Sequence, residues 1–204
     1  MSSFGIGMER EMDQKSYIIH PQKFALWLFI VTVIMIFGGL TSAYVVHRGS
    51  LSEGEKLFFD LPPILWTNLI VIILSSLSMQ FSLREVGREN NQRAMIGLLV
   101  TVALGIWFLL GQLQAFVDLT ESNLFFVDQT RQDDSVSYFY VITGLHGLHI
   151  VAGLIVLLVC LLKTAFSSFR SGRQLISYEM TAIFWHFLGL LWVYLFIFMK
   201  YTQE

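Results

Sequence analysis

Five long apolar stretches, each able to cross a bilayer as a helix, limit what this chain can fold into. A helix rises about 1.5 Å per residue, so a hydrocarbon core of roughly 30 Å takes about 20 apolar residues. The stretches run from about Phe24 to Val46, Pro62 to Leu83, Ala94 to Val117, Ser137 to Leu162 and Glu179 to Met199. They predict an all-α, polytopic membrane protein, a bundle of five transmembrane helices. With 55% hydrophobic and 14% charged residues and a mean hydropathy of +0.64, too few polar side chains remain to cover a soluble domain. Eighteen Phe and five Trp suit lipid-facing helices and interfacial belts. A net charge of -2 argues against a nucleic-acid partner. The one cysteine, Cys160, leaves no disulfide framework or CxxC site and reads as a packing residue.

Local chemistry sets the ends of the spans. Pro62 and Pro63 suit the first turn of the second helix, where a missing N–H costs little. Asp133 and Asp134 precede the fourth helix and favour its N-terminal dipole. Residues 1–23 carry charges of both signs without the basic start and short apolar core of a signal peptide, and read as a cytoplasmic N-terminal tail. Ser2 stands where myristoylation requires glycine. Residues 24–204 then form a single five-helix domain, with no internal repeat.

The basic residues orient the bundle. With the N-terminus inside, the inner segments hold Arg10, Lys15, Lys23, Arg84, Arg88, Arg93, Lys163, Arg170 and Arg173. The outer segments hold only Arg48, Lys56, Arg131 and Lys200. The positive-inside rule therefore places the N-terminus in the cytoplasm and the C-terminus outside. The connection between the third and fourth helices, with Asp118, Glu121, Asp128, Asp133 and Asp134, reads as an acidic outer loop.

Ionisable groups in hydrocarbon are costly and are functional candidates by default. Here they are His146, His149 and His186, with Glu179 at a helix entrance. No span carries Asp, Lys or Arg near its middle, which argues against a transporter. His146 and His149 share one face of the fourth helix at i, i+3 spacing. With His186 they fit either a three-imidazole metal site or axial haem ligation, or hydrogen bonds that fix helix positions. Small residues at Gly38, Gly39, Ser42 and Ala43, and at Gly144, Gly147 and Gly153, mark faces for close helix approach, inside the bundle or against another subunit. Trp66, Trp107, Trp185 and Trp192 read as interfacial or lipid-contacting residues, with Trp66 the best placed as an anchor.

Several motifs resemble one family. Thr143-Gly-Leu-His-Gly-Leu-His149, continuing to Gly153, resembles the TGxHGxHxxxG signature of subunit III of the haem-copper oxidases. Phe184-Trp185-His186-Phe187, running on to Trp192, is similar to that family's YWHFVDxVW. The first helix, Leu26-Trp-Leu-Phe29 through Met35, Phe37-Gly-Gly39 and Ala43-Tyr44, fits the same pattern, as do Asn68, Ser75-Ser76, Gly105 and Gln112. The likeness covers nearly all the chain from Lys23 onward, in the short, five-helix bacterial form that lacks the first two of seven helices.

This resemblance implies a non-catalytic accessory subunit III of a respiratory terminal oxidase in a bacterial inner membrane, with a periplasmic C-terminus. It implies no catalytic centre, cofactor or metal in this chain, and haem and copper in partner subunits. The implied partners are subunit I above all, subunit II and other small subunits, structural phospholipid, and a respiratory supercomplex. Within the motifs His146, His149, Gly153, Trp185, His186, Trp192 and Gln112 take structural roles. Arg84, Arg88, Arg93 and Arg173 are candidates for phospholipid head groups, at roughly 1 kcal/mol each, or simply determine topology. Two other readings are an accessory membrane protein of a nitric oxide reductase system and a membrane haem protein with histidine axial ligands. Three positions depart from the family pattern: Val33 and Ala115 where glutamates often stand, and Gly189 in place of the last motif's aspartate. The chain is therefore expected not to handle protons itself.

Overall fold

The computed structural model describes residues 21–52, 62–88, 90–121, 135–166 and 172–203. Among these residues there are five long helices: α1 Pro21–Ser50, α2 Ile64–Gly87, α3 Asn91–Glu121, α4 Ser135–Phe166 and α5 Gly172–Gln203. Each is long and apolar enough to cross a membrane. At 30 residues α1 measures about 45 Å, more than a hydrocarbon core needs, so its polar ends reach the head-group layers. Each helix outruns its apolar stretch by up to two turns, because helical hydrogen bonding continues into the polar flanks. Helix α2 is the exception at its start. It opens after the prolines, with Leu65 N–H donating to the Pro62 carbonyl and Trp66 N–H to that of Pro63. The tail to residue 20, Asp133 and Asp134 lie outside the described residues, as does most of the acidic loop.

Helices α2, α3, α4 and α5 close into a ring, each packed on the next and α5 back on α2. Among the described residues α1 touches only α4 and α5, so it lies in the groove between them. Ile30, Val33, Phe37, Thr41, Tyr44 and Arg48 form its buried stripe, at the three- and four-residue steps of one helical face. The opposite face is apolar and open: Met35 is 72% and Val46 70% exposed.

The closest approach is between α2 and α3. Ser75, Ser78 and Ser82 of α2 donate to the carbonyls of Thr101, Gly97 and Ala94 at 3.4, 2.8 and 2.6 Å. A Cβ on Gly97 would stand 2.9 Å from that of Ser82, so glycine is what lets the two backbones approach this closely. At the same end Tyr178 of α5 hydrogen-bonds Ser82, and Lys23 of α1 meets Glu179 of α5 at 2.9 Å.

Two readings of the small and aromatic residues need correction. At Gly38, Gly39, Gly144 and Gly147 an added Cβ would meet nothing within 4 Å, and Ser42 and Ala43 are exposed, so among the described residues these positions make no close helix contact. Only Gly153 of that set is an internal contact, against Leu188 and Trp185. Trp185 and Trp192 are not lipid-contacting; they are among the largest fully buried side chains of the core. Trp107 and Trp66 are exposed, Trp66 with the Lys200 ammonium 5.2 Å above its ring.

Candidate functional site: a polar layer around His146

Trp185 locks the ring together. Its Nε1–H donates to Ser75 Oγ of α2 at 3.0 Å, and its six-membered ring lies over Gly105 of α3 and Gly153 of α4. A Cβ at Gly105 would come within 2.8 Å of the indole. One side chain from α5 therefore touches the other three helices of the ring, and its polar atom is satisfied.

Two turns further along α5 the pattern changes. Trp192 stacks on His146 of α4, ring centroids 5.2 Å apart and planes 25° apart. Phe108 of α3 stands edge-on to both, at 5.2 Å from Trp192 and 5.9 Å from His146. Phe37 of α1 closes a further side of the imidazole at 6.4 Å. Gln112 is one turn beyond Phe108 on the same face of α3, and Asn68 of α2 presses its amide onto Gly111, where a Cβ would be 2.1 Å from Asn68 Oδ1. Asn68 and His146 are completely buried and Gln112 nearly so. Neither amide, neither imidazole nitrogen of His146, nor the Trp192 N–H has a hydrogen-bond partner among the described residues. An unsatisfied buried polar group costs about 1–3 kcal/mol, so this layer is expensive as it stands.

The three histidines occupy separate environments. His149 is half-buried, with Nδ1 2.8 Å from the Leu145 carbonyl and the Phe37 ring 5.7 Å away. His186 Nε2 lies 3.2 Å from Gln80 Oε1. No cluster of three His, Cys, Asp or Glu side chains suited to a metal occurs among the described residues. His186 thus reaches across to α2, His149 bonds to its own helix, and His146 is enclosed by aromatic rings.

Residues 11–203 match the family described as cytochrome c oxidase subunit III. The chain belongs to that family. Among its relatives, cytochrome c oxidase subunit 3 of Synechocystis sp. is 32% identical over 188 residues, 87% of this chain and 75% of the relative. The subunit 3 of Thermostichus vulcanus is 26% identical over 87% of this chain and 86% of its own length. That of Papio hamadryas is 28% identical over 86% of this chain and 67% of its own length.

In this chain the TGxHGxHxxxG-like stretch does two jobs. Its first histidine enters the polar layer, and its last glycine seats Trp185. Thr143 Oγ1 returns its hydrogen bond to the Phe139 carbonyl on its own helix. Val33 and Ala115 are fully buried, and a Cβ added at Gly189 would stand 3.0 Å from Ser76 Oγ. Arg84, Arg88 and Arg93 lie around the α2–α3 connection, with Arg88 Nη1 3.0 Å from Glu85. Arg173 lies in the first turn of α5, and its side chain is outside the described residues. Sequence reading passed over Ser78, Ser82, Gly97 and Gly111. The signal was there: Asn68, Ser75 and Ser82 recur at seven-residue intervals, placing polar groups on one seam of α2.

Proposed function

We propose that this chain serves its oxidase as a non-catalytic accessory subunit, packing in the membrane against the haem- and copper-bearing subunit I and holding phospholipid. Membership of the subunit III family implies a complex with other oxidase subunits. The observation that carries the finer reading is the outward glycine face of α1. Gly38 and Gly39 are open, flanked by exposed Ser42 and Ala43, on a helix otherwise lined with apolar side chains. Small residues on an apolar surface let a second transmembrane helix approach closely, which suits docking within a larger assembly. Exposed aromatic and aliphatic side chains on the outer helix faces offer acyl chains a surface, and Arg84 and Arg93 offer charge for phosphate head groups.

The reading places the protein in a bacterial inner membrane, N-terminus inside. Lys23, Arg84, Arg88, Arg93, Lys163 and Arg173 fall at one end of the bundle by the alternation of helix direction, and this supports the orientation. With Val33 and Ala115 buried where carboxylates would stand, the chain handles no protons of its own. A carboxyl-directed apolar reagent is expected to leave the central turns of the helices unlabelled, and labelling there would count against it.

Purification of the tagged chain in mild detergent tests the assignment, with mass spectrometry of co-purifying proteins and an optical spectrum. Recovery of a haem-bearing subunit I with oxidase activity supports it. Gly39→Leu is then expected to reduce that recovery without unfolding the chain. Recovery of a nitric oxide reductase large subunit, or of a lone chain with its own haem spectrum, overturns it.

A further inference from the structure

Seven buried polar atoms on four side chains of the ring have no partner among the described residues: Asn68 Oδ1 and Nδ2, Gln112 Oε1 and Nε2, His146 Nδ1 and Nε2, and Trp192 Nε1. They come from four different helices. The ring contacts of Phe108 with His146 and Trp192, and the seat of Asn68 on Gly111, gather them around one stretch of α3. Flipping an amide or moving the imidazole proton exchanges a donor for an acceptor but adds no polar group to the layer.

Its inventory specifies what would complete it. The amide N–H groups, the indole N–H and one imidazole N–H donate, while two carbonyl oxygens and the other imidazole nitrogen accept. A cation would be repelled by the converging donors, an anion would leave the acceptors unmet, and an apolar molecule would satisfy neither. We propose that this layer is an internal hydration site, in which one or more ordered water molecules bridge Asn68, Gln112, His146 and Trp192. Water is the small neutral molecule that donates and accepts, and buried waters in proteins typically hold about two to four such partners. Trp185 supplies the contrast on the same helix: equally buried, with its indole N–H already given to Ser75.

The proposal concerns the chain's interior and does not rest on its role in an oxidase. Hydroxyl-radical footprinting by brief X-ray pulses tests it on the purified complex, because radicals made from bound water oxidise the side chains beside it even when bulk solvent cannot reach them. Trp192 and Phe108 are expected to oxidise severalfold faster than Trp185. The double variant Asn68→Leu, Gln112→Leu should bring the Trp192 rate down to that of Trp185. Equal rates for Trp185 and Trp192 in the unaltered protein overturn the proposal without need of any variant. An undiminished Trp192 rate in a folded double variant overturns it as well.

Discussion

Across the α2–α3 seam, serine hydroxyls reach main-chain carbonyls and glycines let neighbouring helices close up on bare backbone. Along α1 the contacts are different in kind. Phe29 and Phe37 meet His149, Tyr44 meets Tyr138 and Phe198, Thr41 meets Tyr194, and one ion pair joins Lys23 to Glu179. The ring is held by backbone proximity, which admits little change. Helix α1 is held by the far ends of side chains, which can shift. One arrangement suits a rigid core, the other a helix with a face left to offer elsewhere.

Removing the lock of the ring should have the largest effect. Trp185→Ala takes away a fully buried indole and its bond to Ser75, and is expected to destabilise the chain by about 3–5 kcal/mol. Thermal unfolding of the detergent-solubilised protein would register it. Next comes Gly111→Ala, whose methyl would lie 2.1 Å from Asn68 Oδ1. Overpacking of this kind costs about 1–3 kcal/mol, and replacing Asn68 by alanine in the same chain should recover part of it, a coupling that a double-mutant cycle reads directly.

On α1 the effects should shrink. Lys23→Ala breaks a half-exposed ion pair and is expected to cost about 1 kcal/mol or less, and less still at high salt. Smallest of all, Gly38→Ala meets no atom within 4 Å and should leave the isolated chain as stable as before, or slightly more so through helix propensity. If Gly38→Ala destabilised the isolated chain as much as Gly111→Ala, the contrast between ring and α1 would be wrong.

The five helices were legible because a bilayer demands length and apolarity, and both are plain in the residues from Phe24 to Val46 or Ala94 to Val117. The direction in which a face points was not. Gly39 and Gly153 look alike in sequence, each within a run of small and apolar residues, yet one meets open surroundings and the other an indole. In a membrane, lipid and protein interior are equally apolar, so hydropathy does not separate inward from outward. That is also why Trp185 and Trp192 read as lipid-facing while packing decided otherwise. The histidines were visible as costly groups, but only the fold separates them: His186 to Gln80, His149 to its own helix, His146 to the polar layer.

The seat of Trp185 has a consequence in time. The bonds between α2 and α3 join residues 12 to 26 positions apart, so both ends of each are present soon after the hairpin leaves the ribosome. The bond from Trp185 to Ser75 spans 110 positions, and the slot between Gly105 and Gly153 waits until the last helix is made. Synthesis thus delivers the keystone at the end, and a chain halted before Gly172 would enter the membrane with four spans and an unfilled socket. Pulse-chase labelling of such a shortened chain is expected to show it cleared by membrane proteases far faster than the complete one.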